Sequence, residues 1–174
     1  RLIPHKGVQY LVEAFKRLKD EGLLDAEWKL AVVGAAAYTS DYEQKLRASI
    51  EGRDDVQMLG YQSGEALRQL FAHAYVYVQP SESEGLPVVV LEAMSFGRPV
   101  LVSDIPENLE AMHNAGFSFQ NKSADALAEK LEDLVAHPEV VEEAAKSTQE
   151  VVRRHFNWEI IAVHTEAVYL SIRH

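Results

Sequence analysis

The spacing of apolar residues along the chain predicts an alternation of helices and strands. In the predicted helices apolar side chains recur every three or four residues, which places them on one helix face. Short apolar runs that end in glycine or a polar residue separate these segments, as is typical of buried parallel strands. The predicted helices cover residues 6–20, 41–50, 63 or 64 to 73, 87–96, 106–112, 124–135, 138–155 and 157 or 158 to 169. The predicted strands cover residues 28–33, 56–59, 75–78, 100–102 and 116–119.

Prolines, glycines and capping residues set several of these helix boundaries. Pro87 stands where the first helical residue should be and Gly97 just past the end, positions at which each type is favoured. Ser40 is the predicted N-cap of the helix over 41–50. The bracket formed by Pro87 and Gly97 places Glu92 inside a short apolar helix.

Strands that alternate with helices over short connections are typical of a doubly wound parallel sheet. A length of 174 residues suits one compact domain. Hydrophobic residues make up 47% of the chain, which is enough for a full core and excludes a disordered protein. The sequence therefore predicts an α/β fold with a single domain over residues 1–174.

Charge and composition exclude several classes of function. The net charge of -10 argues against a general nucleic-acid binder. The chain has no cysteine, so disulfides, thiolate metal sites and cysteine nucleophiles are excluded. No run reaches the roughly 18 apolar residues that a membrane span needs. These features are consistent with a cytoplasmic protein, and we expect no nucleic-acid partner.

The loop from Pro80 to Pro87 carries the strongest chemical signal. Ligands of such sheets bind outside the carboxyl ends of the strands, and this loop joins a strand end to a helix N-terminus, which attracts anions. Gly85 allows the backbone to approach a ligand. Glu84 and Glu92, with seven residues between them, are placed to bracket a ligand that crosses the helix start, and carboxylates accept hydrogen bonds from sugar hydroxyls. A solvated loop and a helix-surface glutamate are the alternative.

Two cations near the start of the chain form a second candidate cluster. Arg1 and Lys6 stand in the pattern Arg-Leu-x-Pro-x-Lys-Gly. Cations aimed at a phosphate stabilise its charge, and arginine can bind it through two hydrogen bonds. A lysine at a helix N-terminus is unfavourable with the helix dipole, so its position calls for a reason. An ordinary surface pair is the alternative.

The segment Glu-Gly-Leu-Pro-x-x-x-Leu-Glu-Ala-Met and the Arg-Leu-x-Pro-x-Lys-Gly pattern together resemble the C-terminal domain of retaining GT-B glycosyltransferases of group 1, or family 4. The resemblance implies a Rossmann-like domain that is one half of a GT-B fold. It implies that Glu92 holds the ribose of a nucleotide and that Glu84 contacts the donor sugar. Arg1 and Lys6 would neutralise the diphosphate and the charge of the leaving group. Glu82 competes with Glu84, but its spacing to Glu92 differs by two residues.

The resemblance extends to further residues of the binding site. Gly34 ends a strand as the family's glycine does, although 35–37 is an alanine run where a second glycine is usual. Gly60 and Tyr61 resemble the loop where the nucleotide base meets the backbone, with a simple turn as the alternative. The helix start at Leu86, Pro87 and Val88 would bind the diphosphate. The segment 103–108 and Glu110 resemble the loop near the sugar.

The resemblance implies transfer of a sugar from a UDP- or GDP-type donor to an acceptor hydroxyl, without a metal or cofactor. The abrupt start at Arg1 indicates a piece of a longer protein, so we expect an absent acceptor domain, with membrane association through that domain left open. The chain should bind donor without catalysing transfer. The alternatives are another nucleotide-sugar enzyme such as an epimerase, a phosphorylase-like enzyme, or a degenerate domain kept for protein interaction. Core packing is the expected role of the last helix.

Overall fold

The computed structural model describes residues 1–36 and 40–172, without the side chain of Ser40. A short 3-10 helix, Pro4–Lys6, precedes the first α-helix. The α-helices are α1 Val8–Asp20, α2 Ser40–Ser49, α3 Gly64–His73, α4 Val88–Ser95, α5 Pro106–Met112, α6 Ala124–Ala136, α7 Pro138–His155 and α8 Trp158–Ser171. The strands are β1 Leu30–Val33, β2 Val56–Gly60, β3 Tyr77–Gln79, β4 Val100–Ser103 and β5 Phe117–Phe119.

The predicted fold class is confirmed, while several helix boundaries differ from the prediction. The first α-helix begins at Val8 rather than Lys6, because Gly7 takes a left-handed conformation with φ 67° and separates it from the 3-10 helix. Pro87 precedes α4 as its N-cap residue instead of forming its first turn. The predicted capping side chain of Ser40, and Ala37 of the alanine run, lie outside the described residues.

Hydrogen bonding divides the strands into two parallel sheets, one of β1 and β2 and one in the order β3-β4-β5. The register pairs Tyr77 with Val100 and Leu101 with Phe117. The sheets share one hydrophobic core, in which Val32 of β1 and Leu101 of β4 belong to the same cluster. Because every described strand pair is parallel, the loops that follow paired strands lie at a common edge, where the candidate site residues also fall.

The central strand β4 has apolar side chains on both of its faces. Leu101 packs into the cluster that contains α1 and α6, whereas Val100 and Val102 pack into a second cluster with Met94 of α4. All of these side chains are fully buried, and each contributes about 1.5–3 kcal/mol by leaving water. Burial on both faces is the layered arrangement expected for a parallel strand between helices.

The last helix differs from its prediction. Core packing was expected for α8, but none of its residues is buried. Trp158 and Tyr169 are 81% and 70% exposed. The side chain of Asn157 caps the helix by accepting a hydrogen bond of 2.8 Å from the backbone N–H of Glu159. The expectation of core packing was wrong, because every residue of the helix from Trp158 to Ser171 is exposed.

The sequence has no apolar run of the length that a membrane span needs. Across residues 1–36 and 40–172, no helix combines the length and the apolar character needed to cross a bilayer.

Candidate functional site

The loop before α1 and the loop after β3 lie in direct contact. The backbone N–H of Glu82 donates a hydrogen bond of 2.8 Å to the carbonyl of His5. Gly7 packs so closely on the second loop that an added Cβ would lie 1.8 Å from the carbonyl oxygen of Pro80. No other residue type fits there without moving the backbone. This contact brings Lys6 to the carboxyl end of β3.

Lys6 and Glu84 form an ion pair at this contact. The Nζ atom of Lys6 lies 2.7 Å from both carboxylate oxygens of Glu84. The Glu84 side chain is 8% exposed and that of Lys6 is 26% exposed. An ammonium group has three N–H donors, so one remains for another acceptor. Both residues were predicted from the sequence as site residues, and the fold brings them together although they are 78 positions apart in the chain.

Two further donors hold Glu84 in place. The Nε2 of Gln79 and the Oγ of Ser81 each donate a hydrogen bond of 2.6 Å to its Oε1. Burial raises the pKa of Glu84, but the hydrogen bonds from Lys6, Ser81 and Gln79 and the charge of Lys6 outweigh it and hold the pKa below its ordinary value. The carboxylate is therefore ionised at neutral pH.

The start of α4 stands next to this pair in the chain. Among the described residues, no side chain caps the helix at Pro87. An added Cβ on Gly85 would meet no atom of the described residues within 4 Å, so packing against them does not require glycine there. Leu86 and Val88 are exposed while Pro87 is buried. The helix start thus offers an uncapped N-terminus beside open space, which suits an anion.

Glu92 lies on the exposed surface of α4. Its carboxylate forms no ion pair or side-chain hydrogen bond with any other described residue. Burial raises the pKa of the Tyr77 hydroxyl, and the charges of Glu84 and Glu92 raise it further. Glu92 stands in the second turn of α4, and Glu84 lies in the loop that precedes this helix.

A second group of predicted residues meets at the ends of β1 and β2. The N–H of Gly34 donates a hydrogen bond of 2.8 Å to the carbonyl of Gly60. An added Cβ on Gly34 would lie 3.7 Å from the backbone nitrogen of Arg1. Gly60 has φ +67°, which favours glycine, and Tyr61 beside it is 77% exposed. Arg1, Gly34 and Gly60 are thus neighbours at this edge.

The carboxylate of Glu82 binds Tyr10 and Lys122. Its carboxylate accepts a hydrogen bond of 2.8 Å from the hydroxyl of Tyr10 and forms an ion pair of 3.1 Å with Lys122. The hydrogen bond from Tyr10 is the main cause that holds the pKa of Glu82 below its ordinary value. Glu82 ties the loop to α1 and to the loop after β5, so Glu84 is the carboxylate that pairs with Lys6.

Sequence reasoning missed Gln79 as a partner of Glu84 and gave no individual role to Ser81, although it singled out the segment 103–108 that supports this loop. Gln79 and Ser81 are buried and hydrogen-bonded to the carboxylate, and Ser103 donates from its hydroxyl to the carbonyl of Ser81. Asn108 in turn donates a hydrogen bond of 2.9 Å from Nδ2 to the Oγ of Ser103. The available signal was a glutamine at the end of an otherwise apolar strand, since a buried amide needs hydrogen-bond partners.

No cluster of three or more histidine, aspartate or glutamate side chains suited to a metal ion occurs within residues 1–36 and 40–172.

Comparison with known proteins identifies the family. The model of the family described as glycosyl transferases group 1 matches residues 1–151. An uncharacterized glycosyltransferase of Methanocaldococcus jannaschii is 28% identical over 171 residues, which cover 97% of this chain and 43% of that protein. The chain thus spans less than half the length of this relative.

Solved structures share the fold, and two of them are compared with this chain. HepE of Anabaena, solved in complex with UDP and glucose, superposes with a TM-score of 0.86 at 22% identity, covering 98% of this chain and 46% of that one. The C-terminal domain of a glycosyl transferase group 1 protein of Francisella tularensis superposes with a TM-score of 0.77 at 20% identity, covering 91% of this chain and 83% of that domain. The chain belongs to the glycosyl transferases group 1 family and corresponds to the C-terminal half of the GT-B fold.

Proposed function

We propose that this chain is the donor-binding domain of a retaining glycosyltransferase, which moves a sugar from a nucleoside-diphosphate sugar to an acceptor hydroxyl. The observation that carries the proposal is the Lys6–Glu84 ion pair, which stands at the carboxyl end of β3, one loop before the uncapped start of α4. A cation and a helix N-terminus suit a diphosphate, and a carboxylate suits the hydroxyls of the sugar joined to it.

The diphosphate is bound by Lys6, Arg1 and the start of α4. Two N–H groups of the Lys6 ammonium donate to Glu84, and the third donates to a phosphate oxygen. The positive charge of the ammonium group attracts the same phosphate. The backbone at Leu86, Pro87 and Val88 adds the partial positive charge of the helix end. As the sugar leaves, negative charge grows on the diphosphate, and these fixed groups stabilise it without a resident metal or cofactor.

The two glutamates bind the hydroxyl groups of the donor. Glu84 is ionised and accepts a hydrogen bond from the sugar, whereas Glu92, exposed and without an ion pair among the described residues, accepts from the ribose. Gly85, which has open space around it, lets the donor approach the backbone.

The nucleotide base lies against the ends of β1 and β2. Gly34 and Gly60 are hydrogen-bonded to each other there, and the exposed ring of Tyr61 offers a flat surface on which a base can stack. HepE, the structural neighbour, was solved with UDP, which favours testing UDP first.

Calorimetry on the purified chain tests the donor site. UDP, GDP and ADP, each with and without its sugar, are titrated into the wild type and into Lys6→Ala and Glu92→Ala. Lys45→Ala and Glu132→Ala are matched controls, because both side chains are exposed and lie on α2 and α6. We expect saturable binding of one nucleotide, lost in the two site variants and kept in the two controls.

The opposite results have clear meanings. Absence of binding to every nucleotide would overturn the donor-binding role of this chain, and binding that survives both site variants would indicate a different site. Glycosyl transfer requires an acceptor, which we assign to a domain outside this chain. Robust transfer by the purified chain would contradict that division of labour.

A further inference from the structure

Buried polar side chains behind Glu84 have a role that the donor-binding proposal does not include. We propose that Gln79 and Tyr77 are positioning residues, which orient the Glu84 carboxylate so that one oxygen is held by the protein and the other faces the donor sugar. This inference rests on the proposed function, because it assumes that Glu84 binds the sugar.

Gln79 is the last residue of β3 and is 8% exposed. Its Nε2 donates hydrogen bonds to the Oε1 of Glu84 at 2.6 Å and to the Oγ of Ser81 at 2.8 Å. An amide nitrogen carries two protons, so both are used. The Nε2 amide nitrogen of Gln79 therefore has no donor left for another group, because both of its protons hold Ser81 and Glu84.

Tyr77 sets the direction in which that amide points. Its hydroxyl donates to the Oε1 of Gln79. A carboxylate only accepts hydrogen bonds, so a flipped amide would set its oxygen against Glu84, two acceptors facing each other. Burial, with the charges of Glu84 and Glu92, raises the pKa of Tyr77, so the phenol keeps its proton and remains a donor.

The two oxygens of Glu84 consequently have different surroundings. Oε1 accepts from Lys6, Gln79 and Ser81. Oε2 accepts from Lys6 at 2.7 Å and from no other described residue. Oε1 is thus crowded by three donors, whereas Oε2, with one, retains capacity for a hydroxyl of the sugar. The network thus divides one carboxylate into an anchored oxygen and a binding oxygen.

The backbone of the same loop is anchored independently. The hydroxyl of Ser103 donates to the carbonyl of Ser81, and Nδ2 of Asn108 donates to the Oγ of Ser103 at 2.9 Å. Ser81, Ser103 and Asn108 are fully buried. Since the backbone has its own support, loss of the Gln79 amide should alter the Glu84 side chain more than the path of the loop.

The decisive quantity is the ratio of the dissociation constants of a nucleotide and its nucleotide sugar, measured by calorimetry for UDP and UDP-glucose, GDP and GDP-mannose, and ADP and ADP-glucose. Gln79→Leu removes a hydrogen bond to the charged carboxylate of Glu84, so we expect it to reduce this ratio about tenfold relative to the wild type. Tyr77→Phe should reduce it by a smaller factor. Affinity for the nucleotide alone should stay within about twofold in both.

Matched controls separate positioning from packing. Tyr75→Phe removes a partly buried hydroxyl that donates to the carbonyl of Leu134. Thr148→Val removes a buried hydroxyl that donates to the carbonyl of Ala145 within α7. Both should leave the ratio unchanged. If Gln79→Leu fails to fold, Tyr77→Phe, which deletes one oxygen, still tests the inference.

Two readouts go beyond what a structural role would change. The pKa of Glu84, measured by NMR without ligand, should rise in Gln79→Leu because one of its donors is lost. Gln79→Glu should lose the sugar-dependent gain at neutral pH, when two carboxylates face each other, and recover it as the pH falls and one proton is shared between them.

The outcomes distinguish this inference from the proposed function. A wild-type chain that binds no nucleotide overturns both. The positioning role alone is overturned if the wild type binds nucleotide but gains no affinity from any sugar. It is also overturned if the affinity gained from the sugar is unchanged in Gln79→Leu and Tyr77→Phe. A proportional loss of nucleotide and nucleotide-sugar affinity in Gln79→Leu would also overturn it, since that indicates general damage.

Discussion

The Nζ atom of Lys6 lies 2.7 Å from both carboxylate oxygens of Glu84. The two residues are 78 positions apart, and the contact of the loop before α1 with the loop after β3 brings them together. The ion pair balances the charge of Lys6 and sets its position. Under the proposed function, a diphosphate would meet an ordered cation instead of a flexible surface lysine, which would reduce the entropy lost on binding.

Removal of Lys6 should destabilise the fold. Lys6→Ala leaves the Glu84 carboxylate, which is 8% exposed, without its ionic partner. We expect the free energy of unfolding to fall by about 1–3 kcal/mol, measured by urea denaturation. Lys45→Ala, at an exposed position of α2, should change it by less than about 0.5 kcal/mol. Equal effects of the two substitutions would show that the ion pair does not stabilise the chain.

The same pair predicts a dependence of stability on pH. The folded-state pKa of Glu84 lies below its ordinary value of 4.5, so the unfolded chain binds this proton more readily. The resulting stabilisation is fully present above the unfolded pKa and is lost as the pH falls through the folded pKa. The difference in free energy of unfolding between wild type and Glu84→Gln should therefore shrink in acid. A difference that stays constant from neutral pH to below the folded pKa would contradict this.

Gly7 should tolerate no side chain. Its φ is +67°, and a Cβ would lie 1.8 Å from the carbonyl oxygen of Pro80. We expect Gly7→Ala to lower the free energy of unfolding by more than about 2 kcal/mol and to weaken nucleotide binding, because the two loops must separate. Gly22→Ala is the matched control.

Gly22 has a similar φ of +73°, but a Cβ there would meet nothing within 4 Å. Gly22→Ala should therefore cost only the backbone strain of about 1–2 kcal/mol and leave nucleotide binding unchanged. Urea denaturation and calorimetry measure both quantities. If the two alanine variants behave alike, the close contact with Pro80 is not what requires glycine at position 7.

The exposed helix α8 should contribute little to the stability of this chain. None of its residues is buried, and Trp158 and Tyr169 are largely exposed. Deletion of residues 158–174 should change the free energy of unfolding by less than about 0.5 kcal/mol.

A longer deletion, from residue 138, is the control. It removes α7, in which Val141 and Thr148 are buried, and should unfold the chain or destabilise it severely. Circular dichroism during thermal unfolding compares the three proteins. A large loss of stability on deletion of α8 alone would show that the helix packs on the domain in solution.

The chemistry of the site was partly visible in the sequence. The spacing of Glu84 and Glu92 and the position of Lys6 selected side chains that the structure places near one strand end and one helix start. Gln79 was not found, although a glutamine at the end of an apolar strand signals a need for partners, because the fold decides that those partners are Tyr77 and Glu84. The assigned roles of all these residues stay predictions until binding is measured.

The sequence by itself determined the order of helices and strands, because hydrophobic periodicity, prolines and glycines act on neighbouring residues. Only the tertiary structure decided features that depend on distant contacts. These are the division of the strands into two sheets, the start of α1 after Gly7, the pairing of Lys6 with Glu84 rather than Glu82, and the exposure of α8. An apolar helix predicts burial, but whether a surface exists to bury it depends on how the rest of the chain packs.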